Sequence, residues 1–278
     1  MNKKYLIYNN LVRGSGLGHF FLSYNYGLDY SIKNNLEYLP ALSRLGHGLG
    51  YTQGLVEEYL GLPICEEKRK EVLKNEFDLC EIVEYTNNNP VFGLFGSTLH
   101  LYRDWYFNKS KKVPVFIENN KFNIAASIRR GDLMSNLEGH KYRIWGSSDH
   151  YFRSVINKNI PDHDNYSIHI FSDGDGTSDN YIDDKGNSRS FEEMCDILNI
   201  PKDKTKYHTS YSKKNSDTSV RLLFSTIKSC VLSDVFVGSY SSFSSVITLY
   251  RDKKSILPKN FGGFQQLNNI FYENPAQK

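Results

Sequence analysis

The chain has 278 residues, enough for one large domain or two of ordinary size, and its 20 tyrosines and 17 phenylalanines supply apolar bulk for a core. A net charge of +3 is too small to point to nucleic acid, and no apolar run approaches the length of a membrane span or a signal peptide. The cysteines Cys65, Cys80, Cys195 and Cys230 are widely spaced with no CxxC pair, which argues against a disulfide frame or a cysteine zinc site and for a reducing, cytoplasmic compartment.

Lys4 to Tyr8 reads as a first strand. The glycine-rich turn Arg13-Gly14-Ser15-Gly16-Leu17-Gly18-His19 follows, and then Phe20, Tyr24, Leu28 and Ile32 recur at helical spacing. Strand, glycine turn and helix open a nucleotide-binding α/β unit, where glycines such as Gly16 and Gly18 let a ligand approach backbone N–H groups. A tight strand-to-helix turn with no ligand carries the same signature. Leu36 to Leu39 reads as a strand stopped by Pro40, and Ser43 to Tyr51 as a loop. Gly54 to Leu60 and Cys65 to Phe77 read as helices, Glu81 to Tyr85 as a strand, and Thr98 to Phe107 as an aromatic helix with Trp105 in a core or domain interface. The polar stretch from Lys109 to Pro114 places a domain boundary near it, giving domains 1–115 and 116–278.

Beyond that boundary strands and helices alternate again. Strands are expected at Phe122 to Ile128, Tyr166 to Phe171, Tyr207 to Thr209 and Val235 to Val237, and the last helix leads to Ser255-Ile-Leu257. Helices are expected at Asp149 to Asn157, with Phe152, Val155 and Ile156 inward, and at Phe191 to Leu198, with Ser190 as N-cap and Glu193 completing a capping box. Further helices are Thr218 to Leu232 and Val246 to Arg251. Such alternation implies an α/β fold with parallel sheets and right-handed crossovers.

Three strands of the second half end in unusual chemistry. The first runs into Arg129-Arg130-Gly131-Asp132, the second into Asp173-Gly174-Asp175, and the third into a serine run from Ser239 to Ser245 that includes Ser241, Ser242 and Phe243. In a parallel sheet these ends share one edge, where open α/β sheets bind ligands. Arginine forks suit phosphate oxygens, a helix start favours anions, and a carboxylate accepts hydrogen bonds from ribose or base. That set suits a nucleoside diphosphate. Plain alternatives exist: an Arg–Asp pair in a surface turn, and serines that only cap a helix. Asp173 and Asp175 also form a D-x-D pair of the kind that holds a divalent cation on a sugar nucleotide.

With those motifs in view, the chain resembles the α1,2-, α1,6- and protein O-fucosyltransferase superfamily. Ser127-Ile128-Arg129-Arg130-Gly131-Asp132 resembles its H-x-R-R-x-D motif. Ile170-Phe171-Ser172-Asp173 resembles the second motif, and the segment from Leu232 to Ser244 the third, with its V-G-S-x-S-S-F-S core. Gly14 to His19 is similar to the family's opening glycine turn. The resemblance implies a GT-B fold, two Rossmann-like domains facing an interdomain cleft. The N-terminal domain is then the acceptor side and the C-terminal domain the donor side. It implies a fucosyltransferase that moves fucose from GDP-fucose to a glycan hydroxyl with inversion, with neither metal nor cofactor. By motif position Arg129 and Arg130 hold the departing phosphate, Asp132 positions them or the sugar, Asp173 binds the nucleoside, and Ser241 and Ser242 the diphosphate. Gly16, Gly18, Ser239 and Phe243 complete the donor set. Two positions depart from the pattern: Ser127 stands where the family has histidine, and His19 where it has asparagine. His19 is the candidate general base. The competing readings are a metal-dependent D-x-D glycosyltransferase and a nucleotide-sugar binding protein without turnover. Arg130→Ala is expected to keep the fold and lose transfer.

Overall fold

The structure, a computed structural model, describes residues 5–8, 17–40, 53–63, 67, 70, 71, 74, 79–80, 98–130, 148–174, 180–209, 216–258 and 270–273. The expectations for 43–51 and 81–85, most of 65–77, and for Gly16, Asp132 and Asp175 lie outside these residues. The chain divides into two compact units, Met1–Lys112 with Gly262–Leu267, and Val113–Phe261 with Asn268–Lys278.

In the first unit β1 (Tyr5–Tyr8) pairs in parallel with β2 (Glu37–Pro40) on one side and β3 (Leu79–Cys80) on the other. Helix α1 (Leu17–Lys33) connects β1 to β2. Its Tyr24 and Leu28 are buried, but Ile32 is 47% exposed, so the apolar stripe fades over the last turn. The Tyr38 ring of β2 lies against Gly27, where a Cβ would come within 2.5 Å of it. Helix α2 (Gln53–Leu60) ends at Gly61, whose φ of +70° suits glycine. Helix α3 (Leu99–Lys109) begins after Thr98, which donates to Asn25 of α1. Trp105 is half-buried and meets Tyr102 edge-on.

The second unit holds a parallel sheet of β4 (Phe122–Ile128), β5 (Tyr166–Ser172), β8 (Thr205–Thr209), β9 (Val235–Val237), β10 (Lys254–Pro258) and β11 (Ile270–Glu273). Spatial order is β8-β5-β4-β9-β10-β11. Counted along the chain from β4 this is 3-2-1-4-5-6, the order of a doubly wound dinucleotide-type sheet. The chain works outward from β4 in one direction, then returns to its other side with β9. Beside β4 the topology switches.

All seven residues of β5, and all of β4 after Phe122, are buried, as expected of a parallel sheet covered on both faces. Ile124, Ala126, Ile128, Ile168, Ile170, Val235 and Val237 form one core with Tyr151, Phe152, Val155 and Ile156 of α4 (Asp149–Asn157) and Met194, Cys195 and Leu198 of α5 (Phe191–Leu198). Ser148 caps α4, and Ser190 with Glu193 forms the expected capping box on α5. Helix α6 (Ser216–Leu232) packs on β4 and against α7 (Ser242–Leu249). Helix α7 therefore starts four residues before the expected Val246, because Ser241 caps it. A short antiparallel hairpin, β6 (Tyr181–Ile182) and β7 (Ser188–Arg189), is an addition to the expected elements. Among the described residues no helix is long and apolar enough to cross a membrane.

A polar relay runs through the sheet. Ser167 donates to Asn123 Oδ1 at 2.9 Å, so its oxygen accepts from His169 Nε2 at 3.0 Å, which leaves His169 Nδ1 to accept from His208 Nε2 at 3.1 Å. The His208 ring packs against those of Phe116 and Phe171, 4.7 Å from each. Burial first, then in His208 the neighbouring His169, lowers both histidines from 6.5 to about 4. Unfolded histidines take protons from about pH 6.5 downward while the folded pair stays neutral, so their contribution is complete above 6.5 and is lost between 6.5 and 4. The thermal midpoint should fall as pH drops from 7 to 5, before carboxylates such as Glu118, lowered from 4.5 to about 2, add their own loss. His208→Gln should flatten that slope in a melting series; an unchanged slope would rule out the pair as its source.

Candidate functional site

The carboxyl ends of β9, β4 and β5 lie side by side, with Ala126 opposite Val237 and Ile128 opposite Ser172. Past the last rungs of the ladder, side chains replace backbone partners. The N–H of Arg129 donates to Ser239 Oγ at 2.9 Å, on the β9 side. The N–H of Arg130 donates to Asp173 Oδ1 at 2.6 Å, on the β5 side. Successive N–H groups of an extended strand point opposite ways, so two residues can stitch one strand end to both neighbours. The Ser239 hydroxyl also donates to the Ser127 carbonyl. The arginine pair, Asp173 and the serine-lined start of α7 thus meet at one edge, and the Arg129–Ser239 contact spans the topological switch.

The two arginines differ. Arg129 is half-buried, whereas Arg130 is 1% exposed. Arg130 donates from Nε to the Ile182 carbonyl at 3.0 Å, from Nη2 to Asp149 Oδ1 at 2.6 Å and Tyr181 Oη at 3.5 Å, and from Nη1 to the Arg129 carbonyl at 3.3 Å. Burial pulls its pKa down, but Tyr181 and Asp149 hold it above the ordinary value, so it stays charged. The Tyr181 phenol, itself pushed up by burial, donates to Asp149. The expectation that both guanidinium groups face a phosphate therefore gives way to a division, with Arg130 turned into the unit and Arg129 at its edge. The reason is Asp149, a partner 19 positions away that no local pattern announces. A carboxylate in the first turn of a helix reads as a dipole complement.

The serines also have structural duties. Ser241, 5% exposed, accepts from the Phe243 N–H at 3.2 Å as the N-cap of α7. Ser244 Oγ accepts from the Ser239 N–H at 3.0 Å. Ser242 and Phe243 are the first two residues of α7, and Phe243 is half-buried. Gly238 lets this helix start sit close to β9: a Cβ there would lie 2.5 Å from Leu257 Cδ2 and 2.8 Å from Ser244 Cβ. Gly18 and His19 are the second and third residues of α1 in the first unit.

These strand ends make a doubly wound α/β unit with a cation, a carboxylate and a capped helix start gathered at its switch point. No family model matches the chain, nor does any curated protein sequence. Among solved structures it is similar to POFUT1 in complex with GDP-fucose, at a TM-score of 0.38 and 12% identity over 97% of this chain and 73% of that one. It is also similar to POFUT1 in complex with GDP, at 0.45 and 14% identity over 99% of each chain. Scores and identities this low assign no function by themselves.

Two outcomes follow from the geometry. Arg130→Ala leaves the buried Asp149 carboxylate without its cation and should destabilise the protein by about 3–5 kcal/mol, read as a lower denaturant midpoint at unchanged slope. This replaces the expectation of an intact fold. Gly238→Ala should cost about 1–3 kcal/mol, because the methyl overlaps the packed side chains of Leu257 and Ser244. A midpoint equal to wild type in either variant would show that the site relaxes without penalty.

Proposed function

We propose that the protein is a glycosyltransferase that moves a fucosyl residue from GDP-fucose to a glycan hydroxyl, with inversion and without a metal ion. The observation that carries the nucleotide part is the meeting of Arg129, Asp173 and the start of α7 beside the β4–β9 switch, where doubly wound sheets take their ligands. The choice of guanosine and fucose rests on the motif resemblance around Arg129, Asp173 and Gly238 to Ser244. In this reading the second unit holds the donor and the first, carrying His19, serves the acceptor, in the GT-B manner.

The reaction is one displacement. An acceptor oxygen attacks the anomeric carbon from the face opposite the diphosphate, the bond from that carbon to the β-phosphate oxygen breaks, and GDP leaves with the bonding pair. The hydroxyl proton passes to a base, for which His19 is the candidate at neutral pH. Charge accumulates on the β-phosphate, and Arg129 is the cation assigned to it. By motif resemblance alone, Asp132 is assigned to position the arginines or the sugar, and Ser242 to contact the diphosphate.

The test is transfer from GDP-fucose, with and without EDTA, preceded by a melting screen of GDP, UDP and CMP, since a ligand specific to the folded state raises the midpoint. GDP should shift the midpoint and transfer should survive EDTA. Arg129→Ala should lose about 10²–10³ in kcat, roughly 3–4 kcal/mol. Loss of all transfer in EDTA would favour the D-x-D reading, and GDP binding with no transfer to any acceptor a binding protein.

A further inference from the structure

We propose that Asp149 and the β6–β7 hairpin are positioning elements of the diphosphate site, acting on Arg129 through Arg130; this deepens the reading above and rests on it. The peptide joining Arg129 to Arg130 has both polar groups held. Its carbonyl accepts from Arg130 Nη1 at 3.3 Å, and its N–H donates to Asp173 Oδ1 at 2.6 Å. The preceding N–H is held by Ser239. The α-carbon of Arg129 therefore sits between two pinned peptide groups, which sets the direction in which its side chain leaves the backbone.

One of those pins depends on where the Arg130 guanidinium lies. That group is fixed from outside the sheet by Asp149, at the first position of α4, and by the Ile182 carbonyl in the hairpin. Asp149 is fixed in turn. Its Oδ2 accepts from the Asp184 N–H at 2.9 Å, its own N–H donates to Asp184 Oδ2 at 3.1 Å, and the Tyr181 hydroxyl donates to Oδ1. The hairpin is braced by Asp183, which accepts from the N–H groups of Lys185 and Asn187 and from Arg189 Nε. A carboxylate placed only to stabilise the fold could pair with any buried cation. This one pairs with the residue that follows the ligand cation, and the arginine returns a hydrogen bond to the peptide between them.

The consequence is specific to the second phosphate. Misplacing Arg129 should weaken the grip on the β-phosphate and leave contacts to base, ribose and α-phosphate alone, so the ratio of GDP to GMP affinity is the readout. Asp149→Asn keeps the shape and one acceptor oxygen but removes the charge. It should lower that ratio by about tenfold, the scale of one charge-assisted contact. In an Arg129→Ala background the same change should leave the ratio as it is, because the group being positioned is gone. Tyr181→Phe, which removes the hydroxyl's hydrogen bonds to Asp149 and Arg130 but no charge, should show a smaller loss of the same kind and serves if Asp149→Asn folds poorly. Affinities are read by calorimetry on the full chain. An unchanged ratio in both variants, or an equal fall with and without Arg129, overturns the positioning role while the nucleotide site stands. A wild-type protein that binds GDP no better than GMP overturns the diphosphate reading itself, and this proposal with it.

Discussion

Two hydrogen bonds at the end of one strand organise the second unit. Where the ladder around β4 runs out, the N–H of Arg129 turns to Ser239 and the N–H of Arg130 to Asp173. A parallel strand leaving a sheet faces the problem of unpaired main-chain groups, and burial makes each costly to leave unmet. The chain solves it with side chains from the neighbouring strand ends, β9 and β5. The solution also fixes chemistry in place, because the residues that satisfy the backbone belong to the same short motifs that bring a cation, a carboxylate and a helix start together. Strand termination and site assembly are one event here.

The adjacency of two arginines shows how that constraint divides roles. Side chains alternate in direction along an extended segment, so neighbours cannot both look outward. One goes into the unit, where an unpartnered guanidinium would be prohibitively expensive, and the Asp149 carboxylate with the Ile182 carbonyl offsets that cost. The other stays at the edge, half-buried. The buried member has its counter-charge within the unit; the edge member sits at the strand end where the proposed ligand would be met.

Much of this was legible in the sequence where the signal was local. The apolar run at Phe122 to Ile128 and the capping box of Ser190 and Glu193 identify their elements because a few adjacent residues carry the whole physical reason. The three unusual strand ends could be placed on one edge from alternation alone. The partner of Arg130 could not, since Asp149 is related to it only by folding. The hairpin at Tyr181 to Arg189 is hidden for another reason: its turn, Asp183-Asp-Lys-Gly186 with Gly186 at φ +88°, carries an ordinary turn signal, but its two-residue strands are too short to show any alternation. The start of α7 was read late because serines weaken a helix interior, and only the tertiary use of their hydroxyls makes that start favourable.

Those hydroxyls bear on how such a motif is to be interpreted. A run of serines before a helix suggests repeated contacts to an anion, yet Ser239, Ser241 and Ser244 each bind the chain itself. Their small size matters as much as their polarity. Gly238 and Ser244 pack where a methyl would overlap, so the helix start is drawn tight against β9 by residues too small to hold it off. The backbone of α7 is thereby brought to the switch point with its positive end fixed in place. In the proposed reading the serines would act on an anion through the helix they position, and a loss of activity after replacing one of them would report the position of α7 before it reported a lost contact. Arg129, whose neighbouring peptides are held from three directions, is the residue whose replacement by alanine keeps those main-chain groups while removing the cation on which the proposed site depends.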